Sequence, residues 1–124
     1  MSKKVTIRVG HIKADAELND SETAQEIWKA LPIESNVNTW GDEIYFSIPV
    51  KTGSEDAKAV VSKGDLGYWP PGTAFCIFFG LTPVSQGDEI RPASPVNVFG
   101  RIIADCKIFK KVASGAKIIV EKAE

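Results

Sequence analysis

Two apolar runs, residues 66–69 and 73–79, flank Pro70-Pro71-Gly72, and no other feature constrains the fold of this chain so strongly. Proline presets φ for a tight turn and glycine carries no Cβ penalty, so the tripeptide separates two strand candidates. The second run, Thr73-Ala74-Phe75-Cys76-Ile77-Phe78-Phe79, is apolar on both parities. Successive strand residues point to opposite faces, so this strand must be covered on both sides. A barrel wall with a filled interior, and with helices or loops packed outside, meets that demand.

The remaining pattern agrees. Val5, Ile7, Val9 and His11 share one parity and Thr6, Arg8, Gly10 and Ile12 the other, which predicts a half-buried strand with His11 on its inward face. Residues 14–18 are its expected hairpin partner. One helix is clear: Asp20 or Ser21 caps it, Glu22 suits the positive end of its dipole, and Ala24, Ile27, Trp28 and Leu31 form one stripe before Pro32. Further strands are expected over 44–50, 94–103 and 116–122, a short helical turn over 57–61, and one or two helical turns over 106–112. Many short strands with so few helices predict a mainly β closed sheet or sandwich, because a parallel α/β fold needs a helix between most strands. At 124 residues, the sequence is read as a single domain, 1–124.

Fifteen basic and sixteen acidic side chains leave a net charge of −1, which gives no electrostatic footprint for nucleic acid or an anionic membrane surface. There is no signal-peptide pattern and no apolar segment long enough to span a bilayer, so a cytoplasmic location is expected. In that compartment Cys76 and Cys106 are expected to be free thiols, Cys76 acting as a small hydrophobe within its apolar run. One histidine and two distant cysteines build no zinc template, and neither a metal nor a cofactor is expected. A Gly-x-Ser-x-Gly elbow and a phosphate-cradling glycine loop are both missing, which places hydrolase and nucleotide-dependent chemistry low.

Aromatic and proline residues concentrate in three blocks: Asn38-Thr39-Trp40-Gly41-Asp42-Glu43-Ile44-Tyr45-Phe46, Gly67-Tyr68-Trp69-Pro70-Pro71-Gly72 and Phe78-Phe79-Gly80-Leu81-Thr82-Pro83. Core packing accounts for many of these rings. Trp40 and Trp69, however, stand beside turns where the chain leaves the sheet, and rings in such places wall concave ligand sites as readily as they edge a core. Glu43 and Tyr45 share a strand face, and Asn97, between Val96 and Val98, needs partners for its amide if buried. A structural hydrogen bond to a neighbouring loop is the commoner fate of such an amide.

These blocks, together with Gly64-Asp65-Leu66 and Pro92-Ala93-Ser94-Pro95-Val96-Asn97-Val98, resemble the small bacterial and archaeal family of atypical cyclophilin-like proteins. The resemblance covers nearly the whole chain. It implies an eight-stranded antiparallel barrel closed by helices, with a groove on the outer wall where ordinary cyclophilins grip an X-Pro peptide. It also raises peptidyl-prolyl isomerase activity, which needs an apolar proline pocket and a guanidinium that favours the twisted amide. Uncatalysed X-Pro rotation faces a barrier of about 20 kcal/mol, and each tenfold acceleration lowers it by roughly 1.4 kcal/mol. Phe46, Trp69, Phe75 and Phe78 are candidate pocket walls. The arginine-bearing block of ordinary cyclophilins is absent, and among Arg8, Arg91 and Arg101 the loop residue Arg91 is the candidate catalytic cation.

The sequence thus predicts a cyclophilin-like binding module with little or no catalysis. Its aromatic groove would take a small apolar molecule or a proline-containing peptide through Trp40, Glu43, Tyr45, Phe46, Trp69, Phe75, Phe78, Pro83, Arg91 and Asn97. The alternatives are an isomerase with a non-standard active site and a structural or protein-interaction module.

Overall fold

The computed structural model describes residues 3–123. Strand β1 (Lys3–Val9) turns at Gly10, whose φ of 60° lies in the left-handed region, and pairs antiparallel with β2 (Ile12–Leu18). Helix α1 (Glu22–Ala30) follows. Its first turn is capped by Ser21, whose hydroxyl accepts from the Ala24 N–H at 3.1 Å, and it buries Thr23, Ala24 and Ile27. Six further strands come from β3 (Ile33–Asn36), β4 (Asn38–Thr39), β5 (Glu43–Ser47), β6 (Asp65–Trp69), β7 (Ala74–Phe78) and β8 (Asn97–Ile102). The last is β9 (Lys117–Lys122). Residues Pro70–Gly72 and Cys106–Lys111 form 3-10 turns.

The strands form one antiparallel sheet in the order β3-β9-β1-β2-β8-β6-β7-β5-β4. Nine strands replace the eight that the family resemblance implies, for a simple reason. The two edges of the sheet, β3 and β4, are consecutive pieces of chain separated only by Val37. One piece pairs with β9 and the other with β5, so a single bent stave reaches both edges and nearly closes the barrel, leaving one seam. Buried Val37 sits at the bend, donating to Ala116 O at 2.9 Å and accepting from Gly115 N–H at 2.7 Å.

Inside lie the inward parities of the strands. Ile7, Ile44, Phe46, Leu66, Tyr68, Phe75, Ile77, Phe99, Ile118 and Val120 belong to one core that Ile27 and Phe109 also enter. Phe75 stacks on Phe46 at 4.9 Å and meets the edge of Phe99 at the same centroid distance. A second, smaller cluster lies on the outer wall: Val61, Ala74, Cys76, Phe78, Ile90 and Val96, joined by Tyr45, Trp69 and Val98. The run on β7 is therefore covered on both faces, as its composition requires.

The outer cover is not helical. The expected helical turn over 57–61 is instead extended chain, bridged at Lys58 to Val96 and at Val61 to Ile90. Reciprocal backbone bonds to the loop 90–96 outweigh the weak local preference for a turn. The strand expected over 94–103 is accordingly shorter, since its first residues belong to this cover. His11 departs from its expected inward face because the chain has already turned at Gly10, and it is exposed.

Candidate functional site

Parity on three adjacent strands builds the site. On β5 Ile44 and Phe46 point inward, so Glu43 and Tyr45 stand on the outer wall. On β7, next to it, Cys76 lies opposite Tyr45. On β6, beyond, inward Tyr68 leaves Trp69 outside, opposite Ala74. The outward row thus collects a carboxyl, a phenol, a thiol and an indole on one patch of sheet.

Trp40 joins them through a tight turn. Its N–H donates to Glu43 O at 2.9 Å and the Glu43 N–H returns to Trp40 O at 3.2 Å. Gly41 and Asp42 are the turn's central residues, and Gly41 takes φ +60°. A Cβ there would also lie 2.8 Å from Pro83 and 2.9 Å from the Leu81 carbonyl, so glycine is required twice over. Trp69 is fixed by different means. Its indole Nε1 donates to Ser94 Oγ at 2.6 Å, and its ring lies over Gly72, where an added Cβ would come within 2.7 Å. Beneath the cover, Val96 packs so closely on Gly67 that a Cβ at that glycine would stand 2.8 Å from it.

These elements enclose a cavity of about 300 Å³ lined by Trp40, Glu43, Tyr45, Trp69, Cys76, Pro92, Ala93 and Val96. It lies at the small end of the range that holds compact organic ligands. Glu43 is 6% exposed, and its Oε1 has no hydrogen-bond partner among the described residues. Burial raises its pKa from 4.5 to about 7, although the neighbouring Cys76 thiol, whose Sγ lies 3.9 Å from the Ala74 carbonyl, pulls the other way. Burial likewise drives the Cys76 thiol well above its ordinary range, and the neighbouring Glu43 adds to that, so the thiol stays protonated and is no nucleophile. A carboxyl so displaced, on the wall of an apolar cavity, makes this patch the candidate site.

The structure brings together Trp40, Glu43, Tyr45 and Trp69 of the residues expected from sequence, and sets the other six elsewhere. Phe46 and Phe75 are inside the barrel, on the parity opposite to Tyr45 and Cys76, with no exposure. Phe78 shares the outward parity but is wholly buried in the outer cluster, against Gly67. Pro83 is exposed and braces the turn at Gly41. Arg91 adjoins the lining residue Pro92, yet its guanidinium is paired with Glu89 through Nη2, and its buried Nε has no partner among the described residues. Asn97, the first residue of β8, is 1% exposed. Its amide donates to Thr23 Oγ1 (3.1 Å) and Gly53 O (2.9 Å) and accepts from the Glu55 N–H (2.8 Å), all structural partners.

Four lining residues are absent from the site expected on sequence: Cys76, Pro92, Ala93 and Val96. Cys76 was legible in principle, because it shares the outward parity of Ala74 and Phe78. The loop residues were not, since only tertiary bridging lays them over the sheet. Among the described residues no group of three acidic, histidine or cysteine side chains is placed to hold a metal ion. No helix there is long and apolar enough to cross a membrane.

A family model described as cyclophilin-like matches residues 3–121. The chain belongs to the cyclophilin-like family. Its fold is also that of a hypothetical protein from Archaeoglobus fulgidus, known from a solution structure. The two share 44% sequence identity and a TM-score of 0.83 over 98% of this chain and 95% of that one. No curated protein matches the chain. The cyclophilin-like barrel thus agrees with the fold that the sequence blocks imply, and the candidate cavity lies on its outer wall.

Proposed function

We propose that this cyclophilin-like protein is a binding module whose outer-wall cavity holds a small apolar ligand or the apolar side chain of a proline-containing peptide. One observation carries the reading: Trp40 and Trp69, distant in sequence and each fixed by its own turn, wall the same cavity with a buried carboxyl beside them. Core packing alone does not account for partly exposed indoles facing open space.

Binding is favoured over isomerisation by the character of the wall. Its lining holds no arginine, and the candidate cation Arg91 is engaged by Glu89. A guanidinium already neutralised stabilises a twisted amide poorly. Titration of a Trp28→Phe variant, which keeps Trp40 and Trp69 as reporters, with 2-phenylethanol and with an Ala-Pro-Phe tripeptide tests the reading. Saturable change in indole emission is expected with at least one of them, together with no acceleration of proline isomerisation in a reporter peptide at micromolar protein. A flat titration with both removes the binding reading, and a clear acceleration replaces it with the isomerase.

A further inference from the structure

We propose that the outer-wall cavity takes a small organic ammonium ion, its apolar body between the Trp40 and Trp69 indoles and its N–H groups donating to the Glu43 carboxylate. This rests on the cavity being a ligand site and adds the chemical class of the ligand. The unpartnered Oε1 of Glu43 is a buried acceptor, and such atoms in folded proteins are almost always satisfied. The lining offers it no lysine, arginine or histidine. A donor brought by the occupant of the cavity completes it.

A neutral donor would make one hydrogen bond, and two features favour a cation over it. Trp40, Tyr45 and Trp69 present aromatic rings, whose faces carry the negative part of the quadrupole and attract ammonium groups. The single carboxyl on the wall then supplies the countercharge, in a desolvated place where a charge-assisted bond is strongest. An anionic ligand would meet an acid and π faces of the same sign.

The groups around Glu43 leave it free to respond. Cys76, facing it from β7, stays a neutral thiol, and Tyr45 is on its own strand. The adjoining Asp42 carboxylate lies 3.7 Å from Lys110 Nζ, and in the covering loop Arg91 is paired with Glu89. β4, across from Tyr45 and Ile44, contributes only Asn38 and Thr39. With the cavity empty, burial favours the protonated acid. An ammonium ion therefore displaces a proton: –COOH and R–NH₃⁺ give the –COO⁻···⁺H₃N–R pair and H⁺ released to solvent. Affinity should rise with pH through about 7 and level off above it.

The test titrates the Trp28→Phe protein with phenethylammonium, 2-phenylethanol and 3-phenylpropionate at about pH 6 and about pH 8, where the amine stays protonated. Phenethylammonium is expected to bind about tenfold more tightly at the higher pH and to bind better there than the alcohol, with 3-phenylpropionate weakest. Glu43→Gln should abolish the pH dependence and lower the affinity at the higher pH about tenfold. The pH series and the three-probe comparison need no variant. If the alcohol binds as well as the ammonium with no pH dependence, or the anion binds best, the cavity remains a ligand site and the ammonium assignment fails. If none of the three gives a saturable signal, the ammonium assignment falls, and if the Ala-Pro-Phe tripeptide is silent as well, the binding reading falls with it.

Discussion

Glu43 shows how one side chain records its surroundings. In the unfolded chain it titrates at the ordinary 4.5, and in the fold at about 7, because the wall of the barrel removes it from water. Between those values the folded protein holds a proton that the unfolded chain has released. Its contribution to stability is therefore fully present below about pH 4.5 and is lost as pH rises through 7. The swing is about 3 kcal/mol for a shift of this size. Glutamine keeps the shape and cannot ionise. Measured by denaturant midpoints across the range from about pH 4 to about pH 8, wild type should lose about 3 kcal/mol relative to Glu43→Gln. Parallel stability curves for the two proteins would show that Glu43 is solvated in the fold.

At the scale of elements, the outer wall depends on how the long connections are held. Asn97 joins β8 to α1 through Thr23 and to the connection 48–64 through Gly53 and Glu55. Glu55 in turn accepts from the Glu22 and Thr23 N–H groups and from the Thr23 hydroxyl, bonds that hold its carboxyl below the usual range. Replacing Asn97 by alanine removes all three bonds, of which the one to Thr23 is buried and the two to the connection are partly so, and should cost about 1 to 3 kcal/mol in chemical denaturation. A loss below about 0.5 kcal/mol would contradict the joint. Asn97 illustrates what a single chain of letters conveys: the need for partners follows from its position between two valines, whereas their identity depends on segments far away in sequence.

The same division runs through the rest of the molecule's elements. The covering of β7 on both faces is written in its composition, and α1 in its cap and stripe. Two-residue periodicity also separates Tyr45 from Phe46 and Cys76 from Phe75, so a site using both members of either pair was never compatible with a strand. The lining by Pro92, Ala93 and Val96, and the extended form of 57–61, arise from bridges between two irregular connections, for which no local pattern exists. The brief strands at 33–36 and 38–39 are hidden for a related reason, being polar edge pieces that only their neighbours make regular.

As a whole, the molecule has one core inside the barrel and a second layer outside it, and the proposed activity belongs to the second. The interior rings make the barrel stable. The outer rings, fixed by the Gly41 turn and the Trp69–Ser94 bond, are held in place without being sealed. Membership of the cyclophilin-like family carries the architecture, and the chemistry of the wall distinguishes this protein's cavity. The most direct test follows the three indole N–H resonances during titration with phenethylammonium at about pH 8. Trp28 lies apart, beneath Lys3 and Lys122, and serves as an internal control. The Trp40 and Trp69 signals should move together along one saturation curve while Trp28 stays still; movement of only one of the pair, or of all three alike, would contradict a shared cavity.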